Sequence, residues 1–395
     1  MTPDDTPDQK RKEEIVMSRL PWIPTSIALG VALAGCSAST LPMATTGAAL
    51  QRQPGASPAQ RVARKACPDV RSEPRCLVLV ESNSGISPLV AGWGPADFQA
   101  RYKLPSTTKG SGQIVAIVDA YDNPDVATDL ATYRSYFGLG KAKFKKFNQK
   151  GQQSNYPSGS TGWGIEIDLD VEMVSASCPL CTIYLVEADG SYSSDLQAAE
   201  VEAVKLGAHI VSNSWICYAS LSCVDQGDFA KKGVTYLAAA GDDGIGQEGA
   251  PEAFDTVVAV GGTVLSKNGS QYSETPWDNT GGGCAAGIKK PRWQHDHYCT
   301  GRLANDAAAV AWDVAEYDSY GYGGWFTVGG TSVASPLLAG VFGLAGNPTK
   351  QDGGKTFWQT SHHEDLYDIS GCSGYGYTQY SICVGWGTPN GIGAF

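Results

Sequence analysis

The sequence predicts an α/β protein with a parallel sheet flanked by helices on both faces. Apolar runs of strand length alternate with segments of helical character from about residue 91 onward. The runs are apolar at consecutive positions, which is typical of strands buried on both faces of a parallel sheet. The 48 glycines and 21 prolines among 395 residues indicate many tight turns and long surface loops rather than a helical bundle.

Each predicted strand is an apolar run bounded by turn residues. These runs cover residues 113–119, 182–187, 209–215, 234–240 and 256–260. Helices are predicted over residues 125–139, 194–206 and 225–232. Strands and helices that alternate at this spacing form a parallel sheet, and active sites in such sheets lie beyond the carboxyl ends of the strands.

The first 36 residues are predicted to be an export signal. Residues 23–35 form an apolar run that is too short to span a bilayer, and Arg19 precedes it. The run ends in Leu-Ala-Gly-Cys at Cys36, which is similar to the lipobox of bacterial lipoproteins, where the cysteine thiol takes a lipid. The alternative is an ordinary signal peptide that is cut near residues 37–39.

The remaining chain divides at about residue 88. Residues 37–88 are rich in Ala, Ser, Thr, Pro and Gln and are predicted to be a linker or a short propeptide remnant. Within that stretch, residues 76–80 are apolar and are predicted to form a short strand. Residues 89–395 are predicted to be one folded domain.

Ten of the eleven cysteines fall into neighbouring couples, and Cys36 stands apart. The couples are Cys67 with Cys76, Cys178 with Cys181, Cys217 with Cys223, Cys284 with Cys299, and Cys372 with Cys383. This spacing predicts disulfides that close short loops in an oxidising compartment. Metal binding is the alternative, but only the couple at Cys178 has ligand-like spacing, and no second CxxC or HxxxH completes a zinc site.

The net charge of −11 excludes nucleic acid as an expected partner. Binding to phosphates requires a basic face, and the sequence contains no basic cluster of that kind.

The first candidate for chemistry is Ser332, which follows a Gly-Gly-Thr turn and precedes an apolar helical segment. A serine at such a turn can place its hydroxyl in a cleft, where backbone N–H groups and the helix N-terminus face a developing oxyanion. The alternative is helix N-capping by Thr331 or Ser332.

The second candidate is the acidic stretch over residues 164–173. As a strand it would place four carboxylates on one face, where they would repel one another. As a helix it pairs Glu166 with Asp170 at i,i+4, and an apolar stripe lies on another face. Two carboxyls that share a proton can act as a general base, whereas a solvated acidic face is the alternative.

The third candidate is Asp242, in an Ala-Gly-Asp-Asp-Gly turn after an apolar strand. The alternative is an ordinary turn, but a protonated carboxyl at the mouth of the sheet can donate a hydrogen bond. A mechanism of the Ser-His-Asp type would need an imidazole beside the serine. The sequence has only five histidines, and His209 is predicted to be a packing residue at the start of a buried strand.

At these residues the chain resembles the sedolisin family of serine-carboxyl peptidases, which have a subtilisin-like fold. The family's Glu-x-x-x-Asp helix matches Glu166 to Asp170. Its Ser-Gly-Thr-Ser motif matches the run that ends at Ser332, with glycine in place of the first serine. Its Gly-Asp-Ser-Gly turn matches the run around Asp242, with aspartate in place of the serine. The matches run in order from about residue 94 to residue 395.

The resemblance implies an endopeptidase that acts by acyl transfer and favours acid. It implies that Ser332 is the nucleophile, Glu166 the base and Asp170 its partner. It also implies that Asp242 serves in the oxyanion hole, while Asp119 and Trp215 match supporting positions. Residues 89–395 would then be the peptidase domain, with proteins or peptides as substrates.

The resemblance also implies a calcium site near the C-terminus, of which Asp368 and Ile369 match the first part. No aspartate or glutamate follows Asp368, so the second carboxylate is missing. Because calcium favours clustered oxygen ligands, we expect the site to be weakened or lost, with a disulfide between Cys372 and Cys383 in its structural role. No other cofactor is expected.

The expected location is the bacterial cell envelope, by a lipid anchor on Cys36, or the extracellular space. A monomer is expected. The alternative from another functional class is a catalytically inactive lipoprotein that binds at the cell surface and keeps the subtilisin-like fold.

Overall fold

The computed structural model describes residues 63–70, 72–81, 90–372 and 380–395. The predicted export signal and Cys36 lie outside the described residues. Within the described part, no helix is long and apolar enough to cross a membrane.

Strands account for most of the regular structure. They are β1 Ala63–Lys65, β2 Arg75–Cys76, β3 Leu79–Glu81, β4 Ile114–Ala120, β5 Lys143–Asn148, β6 Thr182–Ala188, β7 Ile210–Asn213, β8 Trp215–Ile216, β9 Thr235–Ala239, β10 Val257–Asn268, β11 Gln271–Pro276, β12 Gly283–Lys289, β13 Gly301–Ala304, β14 Ala307–Val310, β15 Val314–Asp318, β16 Gly324–Gly329, β17 Leu366–Tyr367 and β18 Thr388–Pro389. The helices are α1 Pro95–Arg101, α2 Val126–Tyr136, α3 Thr161–Ser177, α4 Ser193–Lys205, α5 Thr331–Ala345 and α6 Lys355–Gln359.

The central sheet has eight strands, and its main path runs in the order β11-β10-β9-β7-β4-β6-β5, with β14 also paired to β10. All these pairs are parallel except β10 with β11. Consecutive residues of β4 are buried, so both of its faces are covered. This confirms the predicted parallel sheet and the five predicted strands, although most boundaries shift by one or two residues and β10 extends to Asn268.

Helices α3 and α5 pack against each other and form the layer that carries the candidate residues. Ser160 caps α3 by accepting a hydrogen bond from the backbone N–H of Trp163 at 3.5 Å. Glycines with positive φ flank α5: Gly330 before it at 125° and Gly346 after it at 76°. Helix α4 packs against β4, β6 and β7.

The described residues before residue 90 belong to the same compact unit as the rest of the described chain and pack within it through short strands. The predicted strand over residues 76–80 is divided into β2 and β3, and the two residues between them, Leu77 and Val78, are not strand. Strand β2 pairs with β8, and β3 pairs with β16, which leads into α5.

The predictions for residues 225–232 and for His209 were wrong. The helix predicted over residues 225–232 is only a 3₁₀ turn, Gln226–Phe229, in which Asp225 caps the N–H of Gly227. His209 is not a buried packing residue: β7 begins one residue later, and the exposed His209 ring bonds the Gly233 carbonyl through Nδ1 at 2.9 Å.

All of the predicted cysteine couples form disulfides, which confirms that assignment. They are Cys67–Cys76, Cys178–Cys181, Cys217–Cys223, Cys284–Cys299 and Cys372–Cys383. These disulfides suggest export to an oxidising compartment.

Candidate active site

The acidic stretch over residues 164–173 is helical, as predicted, and lies within α3. Glu166 and Asp170 share one helix face because they are separated by four residues. Both side chains are fully buried, and the helix is buried along nearly its whole length. A solvated acidic face, the alternative considered from the sequence, is therefore excluded.

The carboxyl ends of three parallel strands supply further polar groups around this helix. Asp119 is the penultimate residue of β4, Ser214 follows β7, and Asp242 follows β9. The site thus lies at the edge of the sheet where the fold class places active sites.

The Glu166 carboxyl accepts two backbone hydrogen bonds through Oε2. The donors are Leu77 N at 2.9 Å and Val78 N at 2.8 Å, the two residues between β2 and β3. Oε1 of Glu166 is buried and accepts no hydrogen bond from the described part of the chain. An interaction with the Ser332 hydroxyl lowers the pKa of Glu166 against the larger effect of burial, so the two side chains are neighbours.

Burial is the main cause that raises the pKa of Glu166 well above its usual range, and the Asp119 charge is the second. Burial likewise raises the pKa of Asp170, followed by the charges of Asp119 and Glu166 and a hydrogen bond with Glu166. Burial alone raises the pKa of Asp119 to about 8. The raised pKa values mean that these three carboxyls together carry fewer than three negative charges in mild acid.

Asp170 is held by a serine that sequence reasoning did not single out. Ser214 donates its hydroxyl to Oδ1 of Asp170 at 2.7 Å. The Ser214 carbonyl accepts a long hydrogen bond of 3.5 Å from the Ser332 hydroxyl. Ser214 lies in the Ser-Asn-Ser-Trp run at the carboxyl end of a buried strand, and that position was the signal for it.

Ser332 is the second residue of α5 and is fully buried. Gly330 occupies the cap position without any side-chain cap, so capping by Thr331 or Ser332 does not explain these residues. Pro336 has no N–H and leaves the Ser332 carbonyl without its usual helical partner. That carbonyl instead accepts from the Ser214 hydroxyl at 3.4 Å, which ties the start of α5 to the end of β7.

Asp242 lies beside the N-terminus of α5 and is 5% exposed. Its Oδ1 accepts from the Thr331 backbone N–H at 2.8 Å and from the Thr331 hydroxyl at 2.9 Å. Its Oδ2 has no partner among the described residues. Burial raises the pKa of Asp242 to about 7, and the hydrogen bonds from Thr331 oppose that shift. A proton on Oδ2 is therefore the one available for donation.

Trp215 is fully buried at the carboxyl end of the sheet. Its indole N–H donates to the Val118 carbonyl at 3.1 Å, so it fixes the backbone next to Asp119. No imidazole reaches the buried serine: His209, His295, His297 and His362 are exposed, and His363 stacks on Trp386 and bonds the Phe357 carbonyl.

Asp368 and Ile369, which match the first part of the implied calcium site, directly follow β17. The Asp368 side chain is exposed, and Ile369 packs into an apolar cluster with Ala308 and Val384. Among the described residues, the only trio of candidate metal ligands is His362, Glu364 and Asp365. Glu364 is exposed and pairs with His362, so this trio offers no built cavity for the ion.

No protein-family model matches the chain. Kumamolisin from Bacillus sp. strain MN-32 is 30% identical over 285 residues, covering 62% of this chain and 51% of the relative. Sedolisin from Pseudomonas sp. strain 101 is 25% identical over 353 residues, covering 77% and 60%. The chain is homologous to the sedolisin-type peptidases. It spans only 51% to 60% of the length of these two relatives.

The solved structures agree on the fold. Pseudomonas sedolisin, a serine-carboxyl proteinase, superposes with a TM-score of 0.67 at 24% identity, covering 76% of this chain and 96% of that one. Sphericase superposes with a TM-score of 0.51 at 21% identity, covering 77% and 99%. The fold is therefore subtilisin-like, as the resemblance implied.

Proposed function

We propose that this protein is a serine-carboxyl endopeptidase that hydrolyses peptide bonds in proteins and favours acid. The single observation that carries the proposal is the convergence of Ser332, Glu166, Asp170 and Asp242 from α5, α3 and the end of β9, with no histidine beside the serine. Homology to sedolisin-type peptidases supports the same reaction class.

In the proposed reaction, the Ser332 hydroxyl attacks the peptide carbonyl carbon while Glu166 takes its proton. Asp170 shares its proton with Glu166 and is oriented by Ser214. Oδ2 of Asp242 and the Ser332 backbone N–H donate to the oxyanion. Glu166 then gives its proton to the leaving nitrogen, and water hydrolyses the ester that remains on Ser332.

This arrangement sets the direction of the pH dependence. Asp242 can donate only while protonated, and burial raises its pKa to about 7. A carboxylate base also stays competent in acid, where imidazole would be protonated. Activity should therefore be highest in acid and fall as pH rises through about 7, the pKa of Asp242.

The proposed setting is the bacterial cell envelope or the extracellular space, with Cys36 as the lipid attachment site and with a monomeric enzyme. Labelled palmitate incorporation into wild type but not Cys36→Ala would test the anchor. Unlabelled wild-type protein would contradict it and favour an ordinary signal peptide.

The test of the activity compares two serines of one helix. Ser332→Ala should abolish hydrolysis of acid-denatured casein, because it removes the nucleophile. Ser335→Ala is the matched control, because Ser335 is also buried in α5 but its hydroxyl pairs with the Ser212 hydroxyl, at 2.9 Å, rather than with a candidate catalytic group. It should retain activity.

Retained acid activity in the Ser332→Ala variant would refute the mechanism. No activity in the folded wild type at any pH, with no labelling by a serine-directed reagent, would instead favour the inactive surface-binding lipoprotein.

A further inference from the structure

The candidate catalytic groups are closed off by a part of the same chain. Ser332, Glu166 and Asp170 are fully buried, so no peptide can reach them while the cover is in place. The cover is the Arg75–Val78 segment, which we call the strap. Both backbone N–H groups at Leu77 and Val78 are bonded to Glu166, so the strap lies directly on the proposed base.

The strap runs in the register of a peptide bound beside a strand. Arg75 pairs with Ile216 and Cys76 with Trp215, in antiparallel orientation. Continuing this register brings Leu77 opposite Ser214, whose carbonyl also accepts from Ser332. The peptide bond between Leu77 and Val78 therefore lies next to the proposed nucleophile, Ser332.

The carbonyl of Leu77 faces the proposed oxyanion hole. A side chain at Gly330 would collide with the Leu77 carbonyl oxygen, and it would also lie 2.9 Å from Oδ2 of Asp242. Both oxygens thus border the same point at the turn into α5. Oδ2 is buried and unpartnered among the described residues, as a donor reserved for an oxyanion should be.

The nitrogen on the other side of this bond is also in position. The Val78 N–H donates to Oε2 of Glu166 at 2.8 Å, so the leaving nitrogen lies within reach of the group that takes the Ser332 proton. The bond between residues 77 and 78 therefore has the proposed nucleophile, oxyanion donor and general acid arranged around it.

Two side chains of the strap occupy formed subsites. Leu77 is 3% exposed and packs into a small apolar cluster with Ile216 and Ala239, bordered by Tyr218. Arg75 is 5% exposed; it forms an ion pair with Asp243, and its guanidinium lies 4.8 Å from the centre of the Tyr218 ring. Asp243 is the residue immediately after the proposed oxyanion aspartate.

We infer that the strap is bound as a substrate: the enzyme prefers leucine immediately before the cleaved bond and arginine two residues earlier, and it cuts its own chain between Leu77 and Val78. This inference rests on the proposed function. Ser332 attacks the Leu77 carbonyl carbon, the bond to Val78 N breaks, and Glu166 moves the serine proton to that nitrogen. Water then releases the Leu77 carboxyl and restores the Ser332 hydroxyl.

The first experiment incubates the intact purified chain at acidic pH and reads new termini by mass spectrometry. Wild type should gain an N-terminus at Val78, and Ser332→Ala should not. Arg75→Ala should slow the cut by roughly tenfold or more, because it removes the ion pair with Asp243 and also the one with Asp69. Lys65→Ala is the matched control, because Lys65 also pairs with Asp243, at 3.1 Å, but is exposed. It should cut at the wild-type rate.

The second experiment uses free peptides. It measures the preference for arginine without a substitution in the strap, so a misfolded strap variant cannot affect the result. Acetyl-Arg-Ala-Leu-Val-amide is compared with its citrulline analogue, which keeps the shape and loses the charge. Wild type should show a kcat/KM ratio of roughly ten in favour of arginine, and Asp243→Asn should reduce that ratio toward one. The exposed Asp352→Asn variant is the control and should keep the ratio.

The outcomes separate the two proposals. Hydrolysis of casein without a cut after Leu77, or with equal rates for the two peptides, overturns the strap as a substrate and leaves the proposed peptidase standing. If casein, both peptides and the chain itself all stay intact, both proposals fall.

Discussion

Helix α3 carries two buried carboxyl pairs that differ in their neighbours. Glu166 and Asp170 lie against Ser332 and Ser214, whereas Asp168 and Glu172 lie two residues along the chain from them. Burial is the largest cause that raises the pKa in all four. A raised pKa therefore does not single out a catalytic group in this protein, and contact with the nucleophile does.

The second pair belongs to a larger set of acids, which we call the outer carboxyl group. Its members are Asp129, Asp168, Glu172, Glu316 and Asp318, each of which has a pKa raised mainly by burial. In the described part of the chain, no Lys or Arg forms an ion pair with any of them. Both carboxyl oxygens of Glu316 are buried without a hydrogen-bond partner there. Burial without a cation therefore favours the protonated form of these carboxyls.

The largest expected effect comes from making the same substitution in the two carboxyl pairs. Glu166→Gln should lower kcat on denatured casein by about 10²–10⁴-fold, because it removes the general base. The glutamine carbonyl can still accept from Leu77 and Val78, so the fold should be retained. Glu172→Gln is the matched control and should leave kcat within about twofold of wild type.

Steady-state rates at acidic pH, with thermal unfolding of each variant, decide this comparison. Equal losses of kcat in two folded variants would mean that the outer carboxyl group takes part in the reaction, and the distinction between the pairs would fail.

The next largest effect tests whether Asp242 acts by donating a hydrogen bond to the oxyanion. Asp242→Ala should lower kcat by about 10²–10³-fold, the usual cost of losing one oxyanion donor. Asp242→Asn keeps a donor without a titrating proton, so it should lose less activity and should decline less as pH rises through about 7. A pH–rate profile measures both. An asparagine variant with the wild-type decline would show that another group sets the pH limit.

Much of the fold and part of the site followed from sequence alone. Spacing identified the helix that pairs Glu166 with Asp170, because a strand would have crowded four carboxylates together. The parallel sheet then indicated that Asp242 would lie at the carboxyl ends of the strands, whereas Ser214, which lies there too, was not singled out. The strap could not be predicted, because nothing local tells an apolar linker segment that its backbone will bond Glu166.

The outer carboxyl group was also missed from sequence, for a related reason. Asp129, Glu316 and Asp318 come from α2 and β15, far along the chain from α3. Only the packing of those elements brings them near Asp168 and Glu172. The same long-range packing buries Asp119, whose acidity no sequence pattern could have indicated.

The dependence of stability on pH tests whether the candidate catalytic carboxyls and the outer carboxyl group hold protons in the folded state. A pKa that is raised by folding stabilises the native state below the unfolded pKa of about 4, and this contribution is lost as pH rises through the folded pKa. Asp242 at about 7 and Asp119 at about 8 place the loss between about pH 4 and pH 8. The free energy of unfolding should fall by several kcal/mol over that range, at about 1.4 kcal/mol per pKa unit.

Urea titrations of Ser332→Ala, which cannot digest itself, would measure this fall. Glu316→Gln should make the fall shallower, because it removes one titrating group from the outer carboxyl group. Glu364→Gln is exposed and should follow the parent curve. A stability that is flat or rises from pH 4 to 8 would contradict protonated carboxyls in the fold.

The smallest expected effect is at His209. A substitution there tests whether the carboxyls, rather than an imidazole, supply the general base. The His209 ring bonds the Gly233 carbonyl from an exposed position immediately before β7. His209→Ala removes one hydrogen bond at the surface and should cost about 1 kcal/mol or less in the free energy of unfolding. Because the carboxyls supply base and donor, kcat and its acidic pH profile should be unchanged. A folded His209→Ala variant without activity would remove the reason for assigning the base to Glu166 rather than to an imidazole.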